Sequence, residues 1–154
     1  MPAPDMQIDL AKTYTATINT SKGDMVLSLD PKLAPVTVNN FVALARDGFY
    51  DSLTFHRVVP NFVAQGGCPE GSGRGGPGYK FPDEPVRGEY TLGAVAMANS
   101  GQNTNGSQFF ICIDDCTRKL DKLYNLFGYV ESGTDIACKM EVGDIMHSVT
   151  ITEQ

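Results

Sequence analysis

The chain has 154 residues, of which 42% are hydrophobic and 19% charged, and its formal net charge of -6 accompanies a sequence pI of about 4.7. A domain of this size buries roughly 70% of its unfolded surface, so it can build a core without disulfide or metal staples. The acidic balance gives no general attraction for phosphate backbones or anionic membranes. We therefore expect neither nucleic acid nor a membrane as a partner.

Localisation and metal content are predicted from what the sequence lacks. The N-terminal stretch MPAPDMQIDLAKTYTA has no basic region followed by an apolar run, and no later segment approaches about 18 consecutive apolar residues. With two histidines and no CxxC pair, a zinc site is disfavoured, and we predict no metal and no cofactor. We expect a cytoplasmic protein whose four cysteines are free thiols, with Cys68 the most exposed.

The first predicted elements are two strands and a helix. Residues 12–19 and 24–29 alternate apolar and polar side chains, and the TSKG segment between them is typical of a hairpin turn. The segment APVTVNNFVALARDG predicts a helix that begins near Pro35 and ends near Gly48. Its apolar residues follow the helical period: Val38, Phe41, Val42 and Ala45.

The remaining elements predict a mainly β fold. Loops rich in Gly, Asn, Asp or Pro separate further strands, and a second, weaker helix is predicted over 133–141. Seven or eight strands with two helices suggest an antiparallel sheet that closes on itself, and neither a repeat nor a linker divides it. We expect one domain over 1–154 with a core at about 12–152. The predicted further strands are 54–59, 62–65, 94–98, 107–113, 126–130 and the final VTIT.

Two common kinds of chemistry are poorly supported. Neither His56 nor His147 lies near a GxSxG-like elbow, so a hydrolase triad is disfavoured. The glycine-rich run GSGRGGPG, residues 71–78, lacks the GxxxxGK[ST] ending of a phosphate loop and leads into YKFPDE rather than a helix. We interpret this run as a flexible surface loop.

The informative stretches are FHRVVPNFVAQGG, residues 55–67, and MANSGQNTNGSQFF, residues 97–110. Alternation along a strand predicts that Phe55 shares a face with Arg57, Val63 with Gln65, and Gln108 with Phe110. An apolar pocket with a cation and an amide on its rim would suit a proline ring and its neighbouring carbonyl. The predicted pocket residues are Phe62, Val63, Phe110 and Leu120, with Arg57 and Gln65 on the rim.

FHRVVPNFVAQGG, GSGRGGPGYKFPDE and MANSGQNTNGSQFFI resemble three signature stretches of the cyclophilin family, in order and in spacing, and the similarity runs from about residue 14 to 152. The resemblance implies an eight-stranded antiparallel barrel, closed and capped by two helices. It also implies a peptidyl-prolyl cis/trans isomerase that accelerates rotation of X-Pro bonds during protein folding without a cofactor. The implied partners are proline-containing peptides and unfolded or flexible proteins.

Matching positions carry the family's roles. The catalytic and proline-pocket roles fall on Arg57, Phe55, Gln65, Phe62, Phe110 and Leu120. The substrate-binding roles fall on Val63, Gly71, Ala98, Asn99, Gln108 and Tyr124.

The chain departs from the family's pattern at the rim of the predicted pocket. It has no tryptophan, and Lys119 stands where many members place the tryptophan associated with cyclosporin binding, so we expect weak binding of a cyclosporin-type ligand. Tyr124 stands where a histidine is common. A module that binds proline segments without turnover is the alternative function, and a monomer is the default oligomeric state.

The predicted mechanism is electrostatic. The amide nitrogen of a twisted X-Pro bond regains its lone pair, and a guanidinium donor such as Arg57 would bond that transition state better than the ground state. Arginine does not titrate near neutrality, so we expect nearly flat activity between about pH 6 and 9. His56 should face away from Arg57 and have a structural role.

Overall fold

A computed structural model describes residues 3–154, so the first two residues of the predicted domain lie outside the described part. Nine strands form one antiparallel sheet in the order β3-β9-β1-β2-β8-β6-β7-β5-β4. The elements are β1 (Tyr14–Thr20), β2 (Gly23–Leu29), α1 (Pro35–Arg46), β3 (Leu53–Thr54), β4 (Arg57–Val59), β5 (Val63–Gly66), β6 (Ala94–Met97), β7 (Phe109–Cys112), β8 (Leu126–Ser132), α2 (Thr134–Cys138) and β9 (Ile145–Glu153).

The sheet curls until its two edges approach each other. The edge strands β3 and β4 are separated in the chain by Phe55 and His56 alone, so the first and last strands of the sheet meet there. The backbone of Phe55 bonds to the segment just before β9: its N–H donates to the carbonyl of Asp144 at 2.9 Å, and its carbonyl accepts from the N–H of Gly143 at 3.0 Å.

The predicted fold class is confirmed, and two of its details are corrected. The chain is mainly β, antiparallel and carries two helices, but it has nine strands rather than eight. Within residues 3–154 the sheet is not quite closed, because β3 and β4 do not pair with each other. The physical reason is the break at Phe55 and His56, which divides the predicted strand 54–59 into β3 and β4.

The terminal strand is longer than its sequence pattern indicated. β9 covers nine residues and pairs with β1 from Tyr14 opposite Glu153 to Thr20 opposite Met146. A register shift between Asn19 and Thr20 interrupts the alternation, and this irregularity explains why only VTIT was predicted. The β1–β2 hairpin agrees with its prediction, including the turn between Thr20 and Gly23.

Helix α1 packs its apolar stripe into the main core, where Phe41 lies at the centre of an aromatic cluster. The Phe41 ring centroid is 5.0 Å from that of Tyr50 and 5.4 Å from those of Phe109 and Phe127. The helix ends one residue before the Asp47 cap, and Gly48 follows with φ 73°, a conformation that glycine adopts without a Cβ clash. The predicted helix is therefore confirmed.

The strands β5, β6 and β7 bury both of their faces, which explains why their sequences are short apolar runs rather than clear alternations. One face contributes Ala64, Met97 and Phe109 to the main core, together with helix α1. The opposite face contributes side chains to a second apolar cluster, which forms the floor of the candidate site described below. This second face supplies Val63, Ala94, Ala96, Phe110 and Cys112.

The start of α1 is capped by a residue far away in the chain. Ala34, which precedes the helix, has no side chain that can accept a hydrogen bond from the first turn. The carboxylate of Glu84 takes this role, accepting from the N–H of Val36 at 3.1 Å, the N–H of Thr37 at 2.7 Å and the Thr37 hydroxyl at 2.6 Å. Asn125 completes the network by donating to the Thr37 hydroxyl at 2.9 Å.

Replacing Glu84 tests this cap. We expect Glu84→Ala to lower the free energy of unfolding by about 1 to 3 kcal/mol, because it leaves the N–H groups of the first helical turn without their acceptor. Urea unfolding followed by circular dichroism measures the change. Glu131→Ala, at an exposed position of β8, is the matched control. Equal unfolding midpoints for the two variants would contradict the capping role.

Candidate active site

The register of four neighbouring strands brings the candidate residues into one row. Arg57 on β4 lies opposite Gln65 on β5, Gln65 lies opposite Phe110 on β7, and Phe110 lies opposite Ala96 on β6. Residues paired in this way across antiparallel strands project on the same side of the sheet. A cation, an amide and an aromatic ring therefore stand side by side on one surface.

A tight turn places Phe62 beside this row. The N–H of Phe62 donates to the carbonyl of Val59 at 3.1 Å, which closes a four-residue turn around Pro60 and Asn61. Proline suits the second position of such a turn, and Asn61, with φ 61°, adopts the left-handed conformation that a type II turn requires at the third. The sequence VPNF thus sets the direction in which the Phe62 ring leaves the sheet.

The row and the turn enclose a pocket of about 300 Å³. Val63 and Phe110 are buried beneath it, whereas Arg57 is exposed at its rim. The Tyr124 ring packs edge-on against Phe110 with a centroid distance of 5.5 Å. The complete lining is Arg57, Phe62, Val63, Gln65, Ala98, Asn99, Phe110, Leu120 and Tyr124.

Asn99 connects two walls of this pocket. Its side-chain N–H group donates to the carbonyl of Leu123 at 2.9 Å, and its side-chain oxygen accepts from the N–H of Gly101 at 3.2 Å. The Tyr90 hydroxyl, from the segment that precedes β6, donates to the carbonyl of Tyr124 at 2.6 Å. These bonds hold the segment that contains Leu120 and Tyr124 against the segments on either side of β6.

Arg57 is a cation without an acidic partner. Its Nη1 donates to Oε1 of Gln65 at 3.2 Å, and no carboxylate within residues 3–154 forms a salt bridge with it. A guanidinium has five N–H donors, so most of those of Arg57 remain available to a ligand. The rim of the apolar pocket therefore presents a fixed positive charge.

A second and larger cavity, of about 920 Å³, continues from the first. The two share Gln65, Ala98 and Asn99, so together they form one groove across the surface. The outer wall is the glycine-rich run, and its residues 73–78 line the cavity. The sequence predicted a flexible surface loop here, and Gly71 was the one residue of the run assigned to substrate binding. The adjoining Gln108, also assigned to substrate binding, was the signal for the position of the remaining residues.

The close approach of Gly67 to the segment before β7 explains the second glycine of QGG. A Cβ on Gly67 would lie 2.6 Å from the carbonyl oxygen of Ser107, and φ at Gly67 is 92°. Glycine meets both requirements. The Ser107 hydroxyl donates to the carbonyl of Gly67 at 2.7 Å, which fixes the position of the neighbouring Gln108.

Most of the predicted site residues come together, and two do not. Phe55 is fully buried in the main core, with its ring 6.4 Å from Phe109, so it does not share a face with Arg57. That prediction is wrong because the strand breaks between them. Gly71 lies outside both cavities, in a turn where its N–H donates to the carbonyl of Cys68 at 3.1 Å. The residues lining one or both cavities are Arg57, Phe62, Val63, Gln65, Ala98, Asn99, Gln108, Phe110, Leu120 and Tyr124.

His56 is half-buried beside Arg57 and lines neither cavity. Burial lowers the pKa of its imidazole, and the nearby Arg57 charge lowers it further. The side chain is therefore neutral at pH 7 and above. Its Nδ1 is buried and has no hydrogen-bond partner in the part of the chain that the structure describes.

All four cysteines are free, as expected, but Cys68 is buried and Cys138 is the exposed one. The glycine-rich loop folds over Cys68, and the N–H of Gly75 donates to its sulfur at 3.2 Å. Burial alone would raise the pKa of the Cys68 thiol, but backbone N–H groups of four loop residues lower it to about 7. The donating residues are Gly75, Glu70, Gly73 and Ser72.

Titration of the Cys68 thiol tests this loop geometry. Because the pKa of Cys68 lies near 7, its thiolate should form between pH 6 and 8, at least one unit below an ordinary thiol. Thiolate absorbance near 240 nm measures this step. Cys68→Ser should abolish the step and Cys138→Ser should retain it. A first thiolate step above pH 8 would contradict the proposed hydrogen bonding.

The described residues contain neither a metal-binding cluster nor a helix that could span a membrane. Across residues 3–154, no three His, Cys, Asp or Glu side chains come together in a way that could hold a metal ion. Over the same range, no helix has the length and hydropathy needed to cross a membrane.

Comparison with known proteins identifies the family. The model of the cyclophilin type peptidyl-prolyl cis-trans isomerases matches residues 15–153, which is nearly the whole chain. The chain belongs to the cyclophilin family.

Two bacterial relatives and one solved structure illustrate the similarity. This cyclophilin is 46% identical to a peptidyl-prolyl cis-trans isomerase of Helicobacter pylori over 148 aligned residues. The alignment covers 94% of this chain and 90% of the relative. The chain is 49% identical over 125 residues to isomerase B of Bacillus subtilis, covering 80% and 87%. A cyclophilin type isomerase from Cryptosporidium parvum superposes with a TM-score of 0.83 at 30% identity, covering 92% and 99%.

Proposed function

We propose that this cyclophilin accelerates cis/trans rotation of X-Pro bonds non-covalently, with Arg57 as the catalytic donor. The observation that carries the proposal is the unpaired guanidinium at the rim of an apolar pocket. A proline ring has three methylene groups, and burying each contributes about 0.8 kcal/mol, so burial of the ring in this pocket contributes about 2.4 kcal/mol to binding. The crystal structure of the Cryptosporidium parvum isomerase in the presence of the dipeptide Ala-Pro supports this substrate class.

The chemistry follows from the electronic structure of the amide. Rotation meets a barrier of about 18 to 20 kcal/mol because the nitrogen lone pair is delocalised into the carbonyl. As the bond twists, the nitrogen becomes pyramidal and can accept a hydrogen bond from Arg57 that the planar amide accepts poorly. A charge-assisted bond of about 1.5 to 3 kcal/mol corresponds to a rate increase of roughly ten- to 150-fold.

The groove also offers backbone groups to an extended peptide. Within the described residues, no partner is found for the backbone N–H and carbonyl of Asn99, whereas the N–H of Ala98 already donates to the carbonyl of Gln108 at 3.0 Å. An extended segment can pair with such free groups as an added strand does. Asn99 would hold the peptide backbone while the proline ring enters the pocket beside Phe110.

Lys119 supports the expectation of weak cyclosporin binding. Its ammonium group donates to the carbonyl of Asn61 and pairs with Asp114 at 3.2 Å, so it occupies the surface beside the Phe62 turn. A charged chain at this place presents a strongly hydrated group where an aromatic ring would present an apolar one. We propose that a cyclosporin-type ligand binds this protein weakly.

We also propose a cytoplasmic monomer as the working state. The four free cysteines fit a reducing compartment. The groove already offers a cation, an apolar pocket and free backbone groups, which supports a site that works in a single copy of the chain.

The role of Arg57 is tested by substitution. We expect Arg57→Ala to lower kcat/KM for an Ala-Pro peptide by about ten- to 150-fold, because the variant loses the charge-assisted bond to the twisted amide. A protease-coupled assay measures the rate of cis/trans conversion. Arg57→Lys keeps the charge without the planar fork and should recover only part of the loss. Wild-type protein that binds the peptide without accelerating rotation would instead support a binding module.

The pH profile tests whether any acid or base takes part. We expect kcat/KM to vary by less than about twofold between pH 7 and 9, because arginine does not titrate in this range. His56 remains neutral there, since its pKa is lowered by burial and by Arg57. The assay is repeated with Cys68→Ser, because the Cys68 thiol titrates near pH 7 in the adjoining loop. A bell-shaped profile in this variant would overturn the electrostatic mechanism.

A further inference from the structure

A chain of side-chain amides connects the glycine-rich loop to Arg57. Nε2 of Gln108 donates to the carbonyls of Gly73 at 2.9 Å and Gly75 at 3.0 Å. Oε1 of Gln108 accepts from Nε2 of Gln65 at 3.1 Å, and Oε1 of Gln65 accepts from Nη1 of Arg57 at 3.2 Å. Four successive groups are thus joined by hydrogen bonds that all run in one direction.

The chemistry at the two ends fixes this direction. Backbone carbonyls can only accept, so the amide nitrogen of Gln108 must face Gly73 and Gly75 and its oxygen must face Gln65. A guanidinium can only donate, so the oxygen of Gln65 must face Arg57. Turning over either glutamine amide would bring donor against donor at Arg57, or acceptor against acceptor at the loop. Each end therefore supports the orientation that the other end requires.

The position of the two glutamines suits them to this task. Both are half-buried between the strands and the loop, where their amides compete less with water than exposed ones would. The arginine that they reach is itself exposed, and a long exposed side chain has many rotamers. A fixed acceptor at Gln65 reduces the number of orientations that the guanidinium adopts.

We propose that Gln108 is a positioning residue for catalysis, which acts through Gln65 to hold the Arg57 guanidinium at the mouth of the proline pocket. Gln108 does not need to touch the rotating bond. The loop carbonyls of Gly73 and Gly75 set the orientation of its amide, and Gln65 transmits that orientation to Arg57. The inference rests on the proposed function, because it assigns a catalytic role to Arg57.

A double-mutant cycle tests whether Gln108 acts through Gln65. We expect Gln108→Ala to lower kcat for an Ala-Pro peptide by about tenfold while KM changes by less than about twofold. In the Gln65→Ala background the same substitution should have little further effect on kcat, because the connection is already broken. A change in KM alone, or an undiminished loss of kcat in the Gln65→Ala background, would overturn the proposal.

Replacing the Gln108 amide with a carboxylate provides a matched comparison. Gln108→Glu is nearly isosteric but replaces the donor that faces Gly73 and Gly75 with an acceptor, so it should also lower kcat. Gln102→Glu makes the same change in charge at an exposed position that lines neither cavity, and it should leave kcat unchanged. Equal effects of the two variants would mean that net charge, rather than orientation, is responsible, and would contradict the positioning role.

The side-chain NMR signal of Arg57 separates this proposal from the catalytic one. Its Nε–Hε resonance should shift or broaden in Gln108→Ala and Gln108→Glu, but not in Gln102→Glu. An unchanged signal in all three variants would refute positioning by Gln108, even if Arg57→Ala is inactive. A shifted signal together with full activity of Arg57→Ala would refute the catalytic role of Arg57 while leaving the hydrogen-bonded connection in place.

Discussion

The backbone pairing of β4, β5, β7 and β6 is the constraint on which the site depends. It places Arg57, Gln65, Phe110 and Ala96 in one row across the sheet, so no side chain needs to reach far to meet its neighbours. A shift of one residue in any of these pairings would turn the side chains of that strand toward the opposite face. The positions of these four side chains are therefore as well defined as the sheet itself. The segment that contains Leu120 and Tyr124 is held in place by hydrogen bonds from the side chains of Asn99 and Tyr90.

The same strands contribute side chains to both the core and the pocket. Phe109 packs against Phe41 in the main core, and its neighbour Phe110 forms the floor of the pocket. Because both faces of β7 are occupied, a change of volume on one face moves the backbone that positions the other. The apolar floor and the cation at its rim are also complementary, since the floor buries apolar groups while Arg57 donates hydrogen bonds.

The elements predicted correctly are those in which the local sequence pattern and a specific motif agree. The period of helix α1 and the alternation of β1 and β2 were sufficient to predict those elements, and the signature stretches identified most of the pocket lining. The face of Phe55 was predicted wrongly because alternation assumes a continuous strand, and the strand is interrupted at Phe55 and His56. The burial of Cys68 and the cap supplied by Glu84 depend on loops whose positions are decided by tertiary contacts. A local sequence pattern does not indicate such tertiary contacts.

The distant cap on α1 also has a consequence for how the protein folds. The Glu84 carboxylate and the N–H of Val36 are 48 residues apart in the chain, and β1 pairs with β9 across almost the entire sequence. Contacts between such distant residues require large loops to close before any stabilisation is gained, and domains rich in them fold slowly. During synthesis, α1 leaves the ribosome before Glu84 is made, and β1, although its hairpin partner β2 follows directly, leaves it long before β9. The first part of the chain therefore spends this interval with its apolar faces uncovered.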